Sequence, residues 1–166
     1  FMFIIGDIVV FGKNGVCRVK EIGTMTEIGG GKDKLYYTLV PMCGKDCRVY
    51  TPVDNDKAIM RSVMTKEAAQ ALIDEFGDLE TGHEIDERLR EQDMKVFLQE
   101  CDSTEWARLV KLLHQRKQAR LLAGKSVTAC DEKYLHITEE YLYGELAVSL
   151  KLEREDIKDL MLEQLN

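Results

Sequence analysis

Asp7-Ile8-Val9-Val10-Phe11-Gly12-Lys13-Asn14-Gly15-Val16 is the stretch that decides the first half of the fold. Ile8 to Phe11 is a run of β-branched and aromatic residues, the composition of a strand. Gly12 to Gly15 then supplies a turn, with an Asn-Gly step suited to positive φ. From Val16 the chain returns to a strand pattern that continues to about Thr26 and is long enough to bend. Strand, turn and strand make a hairpin.

Working outward, Gly29-Gly30-Gly31 breaks the second strand and opens another hairpin into Leu35–Val40. No G-K-[ST] and no helix follow the three glycines, so they read as a turn and not as a phosphate loop. Cys43-Gly44-Lys45-Asp46 turns the chain into a fourth strand, Cys47–Thr51. Pro52 has no N–H to give a ladder, so that strand must end there or lie at an edge. Four or five short strands with tight turns predict a small bent sheet or a partly open barrel.

From Thr65 the period becomes helical. Thr65 can cap a helix carrying Ala68, Ala69, Leu72, Ile73 and Phe76, which Gly77 stops. A second helix is expected over Glu84–Glu100. Asp102-Ser103-Thr104-Glu105 is a capping signature for a third, Thr104–Ala123, ended by Gly124. A fourth is expected over Asp131–Ser149 and a short fifth over Glu153–Leu165. Strands followed by a run of helices predict an α+β chain: a β module over 1–60 and an all-helical domain over 61–166.

Bulk properties narrow the function. Of 166 residues, 45% are apolar and 32% charged, as expected of a soluble globular protein. No apolar run approaches the ~20 residues that span a bilayer, and the start lacks the basic flank of a leader, so no membrane role is expected. Five scattered cysteines fit reduced thiols in a cytoplasm. Cys43 and Cys47 are spaced C-x3-C, but zinc would need two more ligands, and His83, His114 and His136 stand apart. No metal and no cofactor is expected. No Gly-x-Ser-x-Gly elbow and no Cys–His–acid grouping is present, so no enzyme is expected either.

The net charge of −7 argues against a protein basic throughout, but the charge is unevenly spread. Between Ala107 and Cys130 lie Arg108, Lys111, Arg116, Lys117, Arg120 and Lys125, with no Asp or Glu; from Asp131 onward ten acids face four bases. Such a patch is a natural footprint for phosphates. On a helical wheel Leu109, Leu112 and Leu113 form the buried stripe, and Arg108, Lys111 and His114 fall opposite it, toward solvent. Trp106, the single tryptophan, sits in the first turn. Two uses fit it: a core anchor, or an apolar wedge against base steps while cations hold the backbone.

Phe3-x-x-Gly6-Asp7-x-Val9-Val10-Phe11, Asn14-Gly15-Val16 and Val19-x-x-Ile22 resemble the polymerase-interaction module of the CarD/CdnL family, which also occurs in the transcription-repair coupling factor. Leu35-Tyr36-Tyr37-x-Leu39, Tyr50-Thr51-Pro52-Val53-Asp54-Asn55 and Arg61 continue the match. Glu105-Trp106-x-Arg108-x-x-Lys111 and Leu142-Tyr143-Gly144-Glu145-Leu146-Ala147 extend it into the second half, weakest from Gly77 to Cys101. The coupling factor is a large helicase, whereas this chain has no Walker motif, so CarD is the better match.

The resemblance implies a non-enzymatic bacterial transcription regulator. Its Tudor-like or SH3-like β module would pair a strand edge with the β1 lobe, or protrusion, of the RNA polymerase β subunit. Met25, Arg48, Val49, Tyr50 and Thr51 fall at that contact; relatives carry arginine where Met25 and Tyr50 stand. The helical domain would touch promoter DNA at the upstream edge of the bubble and stabilise the open complex, with Trp106 as wedge and Arg108, Lys111 and His114 beside it. A second arginine and an aromatic in relatives are Leu109 and Val110 here. The alternative is an adaptor that binds polymerase, or another protein, without touching DNA. A monomer is expected, with a strand-mediated dimer as the alternative.

Overall fold

A computed structural model describes residues 2–24, 34–42, 47–57, 59–84 and 89–166. The chain divides into two compact units, Phe1–Val63 and Met64–Asn166. Met25, the triple glycine and Cys43 lie outside the described residues.

The described residues of unit 1 form an antiparallel sheet of five strands: β1 Ile8–Phe11, β2 Val16–Thr24, β3 Leu35–Pro41, β4 Val49–Pro52 and β5 Met60–Ser62. Their order is β4-β3-β2-β1-β5, which leaves β4 and β5 as the edges. β1 and β2 form the expected hairpin, with Ile8 opposite Arg18 and Val10 opposite Val16. Its connection is a 3-10 turn over Gly12–Asn14, and the positive φ falls on Gly12 (40°) and Gly15 (66°), not on Asn14. The Phe11 N–H closes the turn by donating to the Gly15 carbonyl at 2.9 Å. A register shift between Val19 and Glu21 supplies the bend anticipated in β2.

The core of unit 1 is Phe3, Val9, Phe11, Cys17, Val19, Tyr37 and Leu39, with Ile22, Val49, Val53 and Met60 packed against it. Phe3 meets Tyr37 edge-on at 6.2 Å between centroids, and its N–H donates to the Tyr37 hydroxyl. This fixes the residues before β1 to the middle of the sheet. β5 pairs with β1, Val10 opposite Arg61. Its three residues are too few for alternation to mark them in the sequence.

Among its described residues unit 2 holds five α-helices: α1 Lys66–Glu75, α2 Glu91–Gln99, α3 Ser103–Leu122, α4 Ala129–Leu150 and α5 Arg154–Glu163. Thr65 caps α1 by accepting from the Ala68 N–H. Asp102 caps α3 by accepting from the N–H groups of Thr104 and Glu105. α4 begins at Ala129, earlier than the apolar spacing suggests, because the Thr128 hydroxyl accepts from the Asp131 N–H. α2 is shorter than expected: Glu84, Leu89 and Arg90 are not helical, and Asp93 fixes the start by accepting from the Arg90 N–H. Gly77 follows α1 as expected, but for a different reason. A Cβ there would stand 2.5 Å from the Gln164 carbonyl oxygen, so the close approach, not positive φ, requires glycine.

α4 is the centre of unit 2, in contact with all four other helices. Its buried residues run around the helix, from Asp131, Tyr134 and Leu135 to Thr138, Leu142, Tyr143, Leu146 and the fully buried Glu145. Glu145 accepts from the Met64 N–H at 2.9 Å and from the Ser103 hydroxyl at 2.6 Å. The Ser149 hydroxyl donates to the Met64 carbonyl at 2.8 Å, so the first residue of the unit is held at both its polar groups by α4.

Replacing Glu145 with Ala strands these donors in the interior. Glu145→Ala is expected to destabilise unit 2 by about 2–4 kcal/mol. Glu145→Gln, which keeps an accepting oxygen, should lose less. Urea unfolding followed by the fluorescence of Trp106 reports on this unit and tests both.

Candidate functional site

The candidate residues fall in two groups, one in each unit. In unit 1 they lie on edge strand β4. The Val53 N–H donates to the Leu35 carbonyl at 3.0 Å. Antiparallel alternation then points the N–H and C=O of Thr51 and Val49 at β3, and those of Tyr50 at the open side. Side chains alternate as well. Thr51 is buried and Val49 packs on the core, while Arg48 is exposed and Tyr50 is 40% exposed. Tyr50 thus offers a partner both a backbone pair and an aromatic side chain, with Arg48 beside it.

The edge stops abruptly. Pro52 has no N–H, and its carbonyl is taken by the Asn55 N–H at 3.1 Å. The Asn55 amide also donates to the Thr51 hydroxyl, and its side-chain oxygen accepts from the Lys57 N–H. Thr51-Pro52-Val53-Asp54-Asn55 is therefore a turn that pins the end of β4.

In unit 2 the candidates lie on α3. Trp106 is 0% exposed, its indole tilted against Tyr141 at 5.5 Å between centroids. Of the two uses open to it, the structure shows a core position. Lys111 is 7% exposed, and its Nζ donates to the carbonyls of Gly77 (2.6 Å) and Leu79 (2.8 Å). It ties α3 to the turn that follows α1, where carbonyls lack helical partners. His114 Nε2 lies 3.0 Å from Glu139 Oε1 on α4, both side chains largely covered. Arg108 is the most accessible of the four; its side chain is 38% exposed and pairs with Glu105 at 3.2 Å.

The expectation that Lys111 and His114 face solvent is thereby corrected. Seven of the eight residues from Trp106 to Leu113 are buried, every one but Arg108. A helix covered on more than one side has no single apolar stripe, so the wheel assigned Lys111 to water when it is packed inside. Two further cations of the basic segment are also engaged: Arg116 with the buried Asp131 at 2.9 Å, and Arg120 with the Ser126 carbonyl at 2.6 Å.

Beneath α3, the Tyr134 hydroxyl of α4 donates to Glu91 Oε1 at 2.8 Å and ties down α2. Burial and the Glu91 carboxylate push this phenol up to about 12, and the same bond holds Glu91 below its usual range. Among the described residues, no group of three or more His, Cys, Asp or Glu is placed to hold a metal. No described helix is long and apolar enough to cross a membrane.

Residues 3–64 match the family model of the CarD-like/TRCF RID domain. Unit 1 is a CarD-like/TRCF RNA polymerase-interaction domain. None of the curated proteins compared matches the chain. Arg48, Val49, Tyr50 and Thr51 lie inside the RID domain, and the domain supports a role in RNA polymerase interaction. Trp106, Arg108, Lys111 and His114 lie outside the matched residues.

Sequence reasoning missed the far end of α3. Leu121 and Leu122 are strongly exposed there, although the helix pattern gives leucines to the core. The signal available was Gly124 two residues on, which ends the helix before anything can cover them.

Because Trp106 is enclosed, its loss opens a large cavity. Trp106→Ala is expected to cost about 3–5 kcal/mol and to lower the melting midpoint of unit 2 sharply. A tryptophan held at the surface would leave the midpoint unchanged, so a thermal melt followed by circular dichroism decides between the two.

Proposed function

We propose that this protein is a non-enzymatic bacterial transcription regulator, working in the cytoplasm. Its RID domain binds the β1 lobe of the RNA polymerase β subunit, and its helical unit acts on promoter DNA to favour the open complex. The observation that carries the polymerase half is the RID match together with edge strand β4. On that edge Tyr50 faces outward with both backbone groups and Arg48 stands exposed beside it. A lobe strand added to β4 would take its affinity from the backbone pair and its specificity from Tyr50 and Arg48.

The promoter half rests on the basic segment from Arg108 to Lys125, which contains no acid. Contacts made only after the bubble forms shift closed complex toward open complex. A gain of ~1–2 kcal/mol raises a scarce open fraction roughly five- to thirty-fold. Arg108, the most accessible of the four candidates, would contribute; Lys111 and His114 serve the fold as α3 stands. Trp106 would reach a base step only by leaving its buried site.

That burial, with the internal pairing of Arg116 and Arg120, favours a second reading, an adaptor that holds polymerase without touching DNA. Open-complex lifetime separates the readings. The promoter reading expects a longer lifetime with the chain present and a chain–DNA affinity that falls as salt rises. Unchanged lifetime with intact lobe binding leaves the adaptor.

The edge itself is tested by pull-down on the isolated β1 lobe. Tyr50→Ala and Arg48→Ala are expected to weaken capture roughly ten-fold each, the scale of a central interface contact. Tyr50→Pro removes the outward N–H together with the aromatic ring, leaves the ladder bonds of Val49 and Thr51 to β3 in place, and should abolish capture. Full capture by all three variants would move the polymerase contact off β4.

A further inference from the structure

The tip of α3 is an exposed apolar point set among cations. Leu122 is 90% exposed, the most exposed large apolar side chain among the described residues, and Leu121 beside it is 54% exposed. Lys117 lies one helical turn before Leu121, half-buried like Arg120, and Lys125 is exposed three residues after Leu122. The sequence holds no Asp or Glu from Ala107 to Cys130. Of the acids that follow, Asp131 is buried and engaged by Arg116, and Glu132 is exposed in the first turn of α4.

The tip is built, not frayed. The Gly124 N–H donates to the Leu121 carbonyl at 3.0 Å and the Lys125 N–H to the Arg120 carbonyl at 2.8 Å. Arg120 Nε reaches forward to the Ser126 carbonyl at 2.6 Å, and Gly124 takes the positive φ, 75°, that the reversal needs. The two leucines are thus held out in water by a fixed turn, and little ordering remains to be done when a partner covers them.

We infer that this tip is a DNA contact: Leu122 inserts against a base step from the minor groove, while Lys117 and Lys125 meet the phosphates on its rims and Arg120 holds the turn that presents them. The charge decides the occupant. An apolar side chain that unstacks a base step works only with cations beside it to hold the backbone, and the tip carries both in one short segment. Two leucines give too little apolar surface for a membrane anchor. The inference rests on the promoter reading above and gives it a wedge that stands at the surface, where Trp106 does not.

The test is anisotropy titration of the full chain on a promoter duplex with 2-aminopurine at a central T-A step. Wild type is expected to bind, with affinity falling as salt rises, and to brighten the probe as the step unstacks. Leu122→Ser should lose about ten-fold in affinity and most of the brightening, and Leu122→Met should restore both. Lys125→Glu should weaken binding and lower the salt slope by about one. Melting midpoints should not move for these exposed positions. If wild type binds and brightens the probe but Leu122→Ser and Lys125→Glu match it, this inference falls and the promoter reading stands. If wild type binds no DNA at any salt, both fall. If Leu122→Ser instead loses the polymerase lobe and keeps DNA, the tip is a protein contact and the inference is overturned.

Discussion

A buried carboxyl group organises the helical unit. Glu145 has no exposed surface, and taking such a group out of water is unfavourable unless its oxygens are hydrogen-bonded. The Met64 N–H and the Ser103 hydroxyl meet that need. One side chain on α4 therefore sets both where the unit begins and where α3 starts. The rest of α3 follows: Asp102 caps it, Trp106 and Leu113 fill the interior, and Lys111 reaches the turn after α1. The exposed tip at Leu122 is the far end of the same rigid element.

Much of this was legible in the chain, and the failures have physical causes. β-branched runs mark β1 to β3, and the Gly12-Lys13-Asn14-Gly15 turn joins the first two, because local composition and backbone freedom decide those elements. Thr65 and Asp102 announce α1 and α3 because a cap acts within four residues. β5 was not visible: it is a strand only because β1 lies beside it. Glu84 to Arg90 carries helical spacing, yet Glu84, Leu89 and Arg90 are not helical, and it is Asp93 that fixes the start of α2.

The site was legible as charge but not as exposure. A count of cations identifies the basic segment of α3. It does not say that Arg116 meets Asp131, that His114 meets Glu139, or that Lys111 turns inward to two carbonyls. Those partners lie 15 to 34 residues away in the chain. Trp106 shows the same limit: an aromatic beside basic residues suits a core and a surface equally well, and only packing separates them. On β4 the opposite holds. Alternation across Arg48, Val49, Tyr50 and Thr51 tells inside from outside, because a strand edge repeats every two residues.

The proline that ends β4 also bears on solubility. A sheet edge with a long row of outward N–H and C=O groups is a template on which copies can stack without limit. β4 offers one such residue, Tyr50, before Pro52 and Asn55 close the row. A single short pairing can be met by a shaped partner that adds side-chain contacts of its own, yet it is too brief to seed a growing fibril. The same residue that shortens the binding edge protects the protein from itself.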